Sequence, residues 1–108
     1  MTVKELSSRG GFEAIALPDA EREITGVYIG DLLSWVMGRA GEGDAWITIM
    51  SNINIIAVAS LADTASIILA EGVELENDII ETAKSKGINI LRSSKSMYEI
   101  AVELSGLI

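Results

Sequence analysis

Residues 65–70, Ala-Ser-Ile-Ile-Leu-Ala, form an almost unbroken apolar run between polar turns. So short a run, without apolar-polar alternation, marks a strand covered on both faces, and such strands belong to parallel sheets with helices above and below. The flanking segments fit that requirement. After the run come acids at Glu74, Glu76 and Asp78, an apolar stripe of Leu75, Ile79, Ile80 and Ala83, basic Lys84 and Lys86, and a stop at Gly87, which together predict an amphipathic helix with its dipole compensated at both ends. Before it, residues 45–50 predict a strand, Ser51-Asn52 a turn with a natural N-cap, and residues 53–62 a segment apolar nearly all round. That segment suits a buried helix, while its β-branched residues keep a strand open as the alternative.

The remaining elements continue the alternation. Thr2-Val-Lys-Glu5 has capping-box spacing and predicts a short helix to Ser8, stopped by Gly10-Gly11. Residues 12–17 predict a strand, Pro18-Asp19 a turn, and residues 24–29 a second strand. Asp31 is placed to cap a helix over 32–40, with Leu32, Leu33, Val36, Met37 and Ala40 on one stripe and the Gly41-Glu-Gly-Asp44 cluster as its end. Residues 88–91 predict the last strand. Ser96-Met-Tyr-Glu99 is a second capping box, opening a helix with Met97, Ile100, Ala101 and Leu104 inward. Strands and helices alternating over short links imply βαβ crossovers, hence an α/β fold: one small domain over residues 1–108, with a mostly parallel sheet and helices packed on its faces.

Composition narrows the function more by exclusion than by assertion. There is no cysteine and no histidine among the 108 residues. That removes disulfides, thiolate nucleophiles, thiolate zinc and iron–sulfur ligation, Ser-His-Asp triads and histidine-held metals within this chain. A net charge of −8 repels phosphate backbones, so nucleic acid is not an expected partner. The opening Met1-Thr-Val-Lys-Glu-Leu carries charge where a signal peptide needs an apolar run, and no stretch approaches a membrane span, so the expected location is cytoplasmic. Hydrophobic residues make up 49% of this small chain, which leaves apolar surface for a partner and favours a homo-oligomer or a subunit of a complex.

With the element order in place, the chain resembles the DRTGG domain and, more distantly, the amino-terminal domain of HPr kinase/phosphorylase, with which it shares Thr2-Val-x-x-Leu6. The matching segments are Gly30-Asp-Leu-Leu, Gly43-Asp-Ala-Trp-Ile-Thr, Asn54-Ile-Ile-Ala-Val-Ala, Ile67-Ile-Leu-Ala-Glu-Gly72 and Gly87-Ile-Asn-Ile-Leu-Arg-Ser. The family's Asp-Arg and Thr-Gly-Gly are not kept: Ser51-Asn52 and Ala70-Glu71-Gly72 stand there, retaining only the last glycine. The resemblance implies the fold and a regulatory role, since such domains are attached to phosphate acetyltransferases and to pyrophosphatases with adenine-nucleotide-sensing modules. It also implies an accessory place in a metabolic or hydrogenase-type system, because stand-alone members occur near hydrogenase genes.

Some relatives are called serine kinases, and the residues argue against that activity here. Phosphoryl transfer needs a phosphate cradle with its lysine and a metal-holding hydroxyl or acid. Gly26 with Gly30, and Gly38 with Gly41 and Gly43, lack the lysine and suit turns instead. A phosphotransferase therefore ranks last, and no catalytic residue, metal site or cofactor is assigned.

The best candidate for ligand binding is the loop edge beyond the strand carboxyl ends, where helix amides point outward. Three loops are expected to meet there: Ser51, Asn52 and Asn54 in the first, Glu71 and Gly72 in the second, and Arg92 followed by Ser93, Ser94, Lys95 and Ser96 in the third. The third loop offers hydroxyls and two cations to a small anion or nucleotide. Simple helix capping by Asn52 and Ser96 competes with that reading. Glu71, Glu74, Glu76 and Asp78 are expected to compensate a helix dipole rather than bind metal, and Trp35 and Trp46 to be core or interface anchors. The expected function is a non-catalytic, self-associating regulatory or interaction module, with a small-anion or nucleotide sensor as the alternative.

Overall fold

Strand residues of the apolar run point alternately to two separate cores, and this division organises the whole fold. In the computed structural model, which describes residues 1–108, the elements are α1 (Val3–Ser7), β1 (Glu13–Ala16), β2 (Gly26–Ile29), α2 (Leu33–Arg39), β3 (Asp44–Thr48), α3 (Asn54–Ala62), β4 (Ser66–Leu69), α4 (Asn77–Lys86), β5 (Ile90–Arg92) and α5 (Met97–Ser105). The five strands form one sheet in the order β1-β5-β4-β3-β2, parallel except for β1, which runs antiparallel to β5. Ile68 and Ala70, with Ala45, Ile47 and Leu91, face Val3 and Leu6 of α1 and Ile100 and Leu104 of α5. Ile67 and Leu69, with Trp46 and Ile90, face Val36 of α2, Ile55, Ile56, Val58 and Ala59 of α3, and Ile79 and Ala83 of α4. The period of two in a strand makes the division unavoidable.

Both capping boxes form. The Glu5 amide donates to Thr2 Oγ1 and the Thr2 amide to Glu5 Oε1, and Ser96 and Glu99 repeat the arrangement on α5. Accepting a backbone hydrogen bond holds each glutamate carboxyl below its ordinary pKa. Segment 53–62 is helical, with its last turn closed by Asp63 at φ 58° and ψ 44°. Arg22 supports that left-handed residue by donating to both Asp63 Oδ1 and the Asp63 carbonyl, each at 3.0 Å. α4 stops at Gly87 in the left-handed conformation, as the sequence implied. No helix is long and apolar enough to cross a membrane.

Three expectations fail in detail. Asn52 is not the N-cap of α3, which is Ile53 without a side-chain hydrogen bond. Asp31 does not cap α2, whose N-cap is Leu32 without a side-chain hydrogen bond. Asp31 Oδ1 instead accepts from Thr48 Oγ1 at 2.8 Å and from the Ile49 amide at 3.1 Å. Thr48 is fully buried, and a buried hydroxyl without a partner costs more than an exposed helix end that water can serve. The α2 stripe is also narrower than expected: Val36 is buried, Leu33 and Ala40 half-buried, while Leu32, Met37 and Trp35 are exposed. Trp46 is a core residue whose Nε1 donates to the Gly30 carbonyl at 2.9 Å. Trp35 lies on the surface under the Arg39 guanidinium, 3.8 Å from the ring centroid.

Candidate functional site

At the sheet edge formed by the carboxyl ends of β4 and β5, a cavity of about 360 Å³ is lined by Gly11, Phe12, Glu13, Gly72, Glu74, Arg92, Ser93 and Ser94. The antiparallel course of β1 brings its first residues to this edge, with Glu13 in register with Arg92. Ligand clefts of α/β sheets form at this end because the strands stop and their loops diverge.

The β4–α4 and β5–α5 loops are tied to each other by backbone. The Glu71 amide donates to the Lys95 carbonyl at 2.9 Å and the Gly72 amide to the Ser93 carbonyl at 2.8 Å. This pairing needs two consecutive left-handed residues, Glu71 at φ 61° and Gly72 at φ 68°. Glycine is the residue that takes the second without strain. Ser93 is buried and its Oγ accepts from the Lys95 amide at 3.1 Å. Ser94 is exposed, and neither its amide nor its hydroxyl has a protein partner.

Charge at the cavity is mixed. Arg92 Nη2 donates to Glu13 Oε2 at 2.7 Å, with the Glu13 side chain 62% exposed, and Glu74 supplies a second carboxylate. The other cation of the loop is committed elsewhere. Lys95 Nζ donates to Glu103 Oε1 at 2.9 Å, and Glu103 Oε2 accepts from Arg9 Nε at 3.1 Å. The Lys95 hydrogen bond, with a smaller contribution from Arg9, holds the Glu103 carboxyl below its ordinary pKa against the opposing effect of burial. Lys95 thus ties the β5–α5 loop to Glu103 of α5, and Glu103 in turn holds Arg9 beyond the end of α1.

Of the ten residues the sequence placed in the three loops, the structure brings Gly72, Arg92, Ser93 and Ser94 together in the lining. Glu71 and Lys95 hold the two loops in register, and Ser96 caps α5. Asn52 Oδ1 accepts from the Asn54 amide at 2.9 Å and so serves the start of α3; exposed Ser51 and Asn52 stay outside the lining, and Asn54 borders a different groove, between α3 and α4. Sequence reasoning missed Gly11, Phe12 and Glu13, because a Gly-Gly helix stop carries no sign of the antiparallel return that places it here. It named Glu74 only for dipole compensation. No three carboxylates gather into a cation-ligand set. The cavity can offer a guanidinium, hydroxyls and carboxylate acceptors, groups suited to holding a polar ligand.

The comparisons agree with this architecture. The model of the DRTGG domain matches residues 18–107. Among solved structures, the fold is similar to the CBS and DRTGG domains of the regulatory region of Clostridium perfringens pyrophosphatase, a structure complexed with the activator diadenosine tetraphosphate. The TM-score is 0.65 at 18% sequence identity, over 83% of this chain and 40% of that one, so the present chain corresponds to less than half of that region. No curated protein matches. A family match over most of the chain, on the five-stranded α/β frame described above, establishes that this protein belongs to the DRTGG domain family.

Proposed function

We propose that the chain is a non-catalytic regulatory module that senses a small phosphate-bearing ligand, of nucleotide type, in the cavity at the carboxyl ends of β4 and β5. The carrying observation is the convergence of Arg92, Ser93, Ser94 and Gly72 at that edge, with the Ser94 amide and hydroxyl unpaired. The relation to a pyrophosphatase regulatory region complexed with a dinucleotide activator supports a regulatory reading.

The Glu13 carboxylate competes with any phosphate for Arg92, and magnitudes decide the contest. A solvent-exposed ion pair contributes about 0–1 kcal/mol. Charge-assisted hydrogen bonds to phosphate contribute roughly 1.5–3 kcal/mol each, and a guanidinium can offer two in parallel. Glu13 can swing into water at little cost, whereas Lys95 would have to abandon Glu103. Arg92, not Lys95, is therefore the anion-binding cation.

Titration with inorganic phosphate and adenine nucleotides, followed by backbone amide shifts, tests the reading. Saturable shifts at Gly11, Gly72, Ser93 and Ser94 are expected, lost in Arg92→Ala and retained in Lys95→Ala. Absence of shifts at millimolar ligand, or shifts indifferent to Arg92→Ala, would refute it.

A second reading, self-association, is favoured by a separate observation: Leu32, Trp35, Met37, Ile53 and Leu61 are all exposed on the face carrying α2 and α3.

A further inference from the structure

α3 is the central helix of the α2–α3–α4 layer, contacting both neighbours, yet it contains no charged residue in a chain of net charge −8. Its buried residues are Ile55, Ile56, Val58 and Ala59. The opposite face shows solvent a row of Ile53, Ala57 and Leu61, with Leu61 71% exposed, along a groove of about 480 Å³ shared with Thr82 and Lys86 of α4. An exposed helix face normally carries charge, and this one instead carries large, small, large at four-residue spacing.

Resting on the self-association reading, we propose that this face pairs with a second copy of the chain, α3 against α3 antiparallel, about a two-fold axis at Ala57. The row is self-complementary under that operation. Ile53 meets Leu61 of the other copy, Asn54 meets its Ser60, and Ala57 meets Ala57, where the small side chain permits an interaxial distance near the lower end of about 8–10 Å. The same axis lays α4 antiparallel over α4, which sets Lys86 opposite Asp78 across Thr82. Neither Lys86 nor Asp78 has an ion-pair partner within the chain. Two symmetry-related pairs therefore supply charge complementarity at the ends of an apolar seam, in a molecule that otherwise repels its own kind.

Analytical ultracentrifugation of the full chain tests the proposal, with circular dichroism to verify folding of each variant. The wild type is expected to be dimeric. Ala57→Glu places like charges against each other on the axis and is expected to weaken association more than about tenfold. Lys86→Glu and Asp78→Lys are each expected to weaken the dimer, and their combination to restore it, a rescue that a merely structural effect does not produce. A wild type monomeric at millimolar concentration would overturn self-association altogether. A dimer insensitive to Ala57→Glu, or a charge swap without rescue, would overturn this interface while leaving self-association through another surface. Binding at the cavity is independent of either result.

Discussion

Asn89 offers the sharpest test of how the β1–β2 connection is held. It is 2% exposed, one residue before β5, and its side chain makes three hydrogen bonds. Nδ2 donates to the Asp19 carbonyl at 2.7 Å and to the Ala65 carbonyl at 3.0 Å, while Oδ1 accepts from the Asp19 amide at 3.0 Å. One amide side chain thus fastens the turn at Pro18-Asp19, 70 residues from it in sequence, to the start of β4. At about 1 kcal/mol net for each hydrogen bond, Asn89→Ala is expected to cost about 3 kcal/mol, the Ala65 carbonyl being buried and the Asp19 groups open to water. For a domain of this size that corresponds to a fall in Tm of about 10–20 °C. Asn89→Asp conserves volume and acceptor but removes both donors and turns a carboxylate toward two carbonyls, so at neutral pH it is expected to be at least as damaging as alanine. Urea unfolding with m unchanged, together with hydrogen exchange of the Asp19 amide, reads both effects. An alanine variant within about 0.5 kcal/mol of wild type would refute the reasoning, since that is the range of surface substitutions without a structural role. So would an aspartate variant as stable as wild type.

Three further outcomes are expected. Glu103, whose carboxyl pKa is lowered in the fold chiefly by Lys95, contributes stability that is present above its unfolded value of about 4.3 and lost as pH falls through the folded value. The Tm gap between wild type and Glu103→Gln is therefore expected at pH 7 and should close under acid, and a gap independent of pH would contradict the assignment. Thr64 is buried with an Oγ1 that has no partner, so Thr64→Val should match or raise the wild-type Tm, and a marked loss in a thermal melt would reveal a bond to that hydroxyl. Ser96→Ala removes the side-chain acceptor for the Glu99 amide and is expected to cost about 1 kcal/mol in chemical unfolding, whereas an unchanged midpoint would show the cap to be dispensable.

Local chemistry made much of this fold legible in the amino-acid order. Both capping boxes, the Gly87 stop, the two-faced strand at 65–70 and the absence of histidine and cysteine are properties of neighbouring residues or of composition, and neighbouring residues meet whatever the global arrangement. The parallel alternation followed from the same signals, as did the expectation that loops at 51–54, 71–72 and 92–96 would meet beyond the strand carboxyl ends, of which the structure brings the last two together. Tertiary structure alone decided who meets whom across long separations. Asp31 looked like a cap and became the partner of buried Thr48, because a hydroxyl sealed in the sheet has no water to turn to. Lys95 looked free to hold an anion and is bound by Glu103, eight residues on, while Arg92 keeps only an exposed partner. Gly11 to Glu13 entered the cavity through the antiparallel return of β1, and Ile53, Ala57 and Leu61 became a solvent-facing row because α3 buried its other side. Sequence spacing carries the period of an element but not the neighbour it will face, and burial, which sets the cost of every unpaired polar group, exists only once the chain has folded.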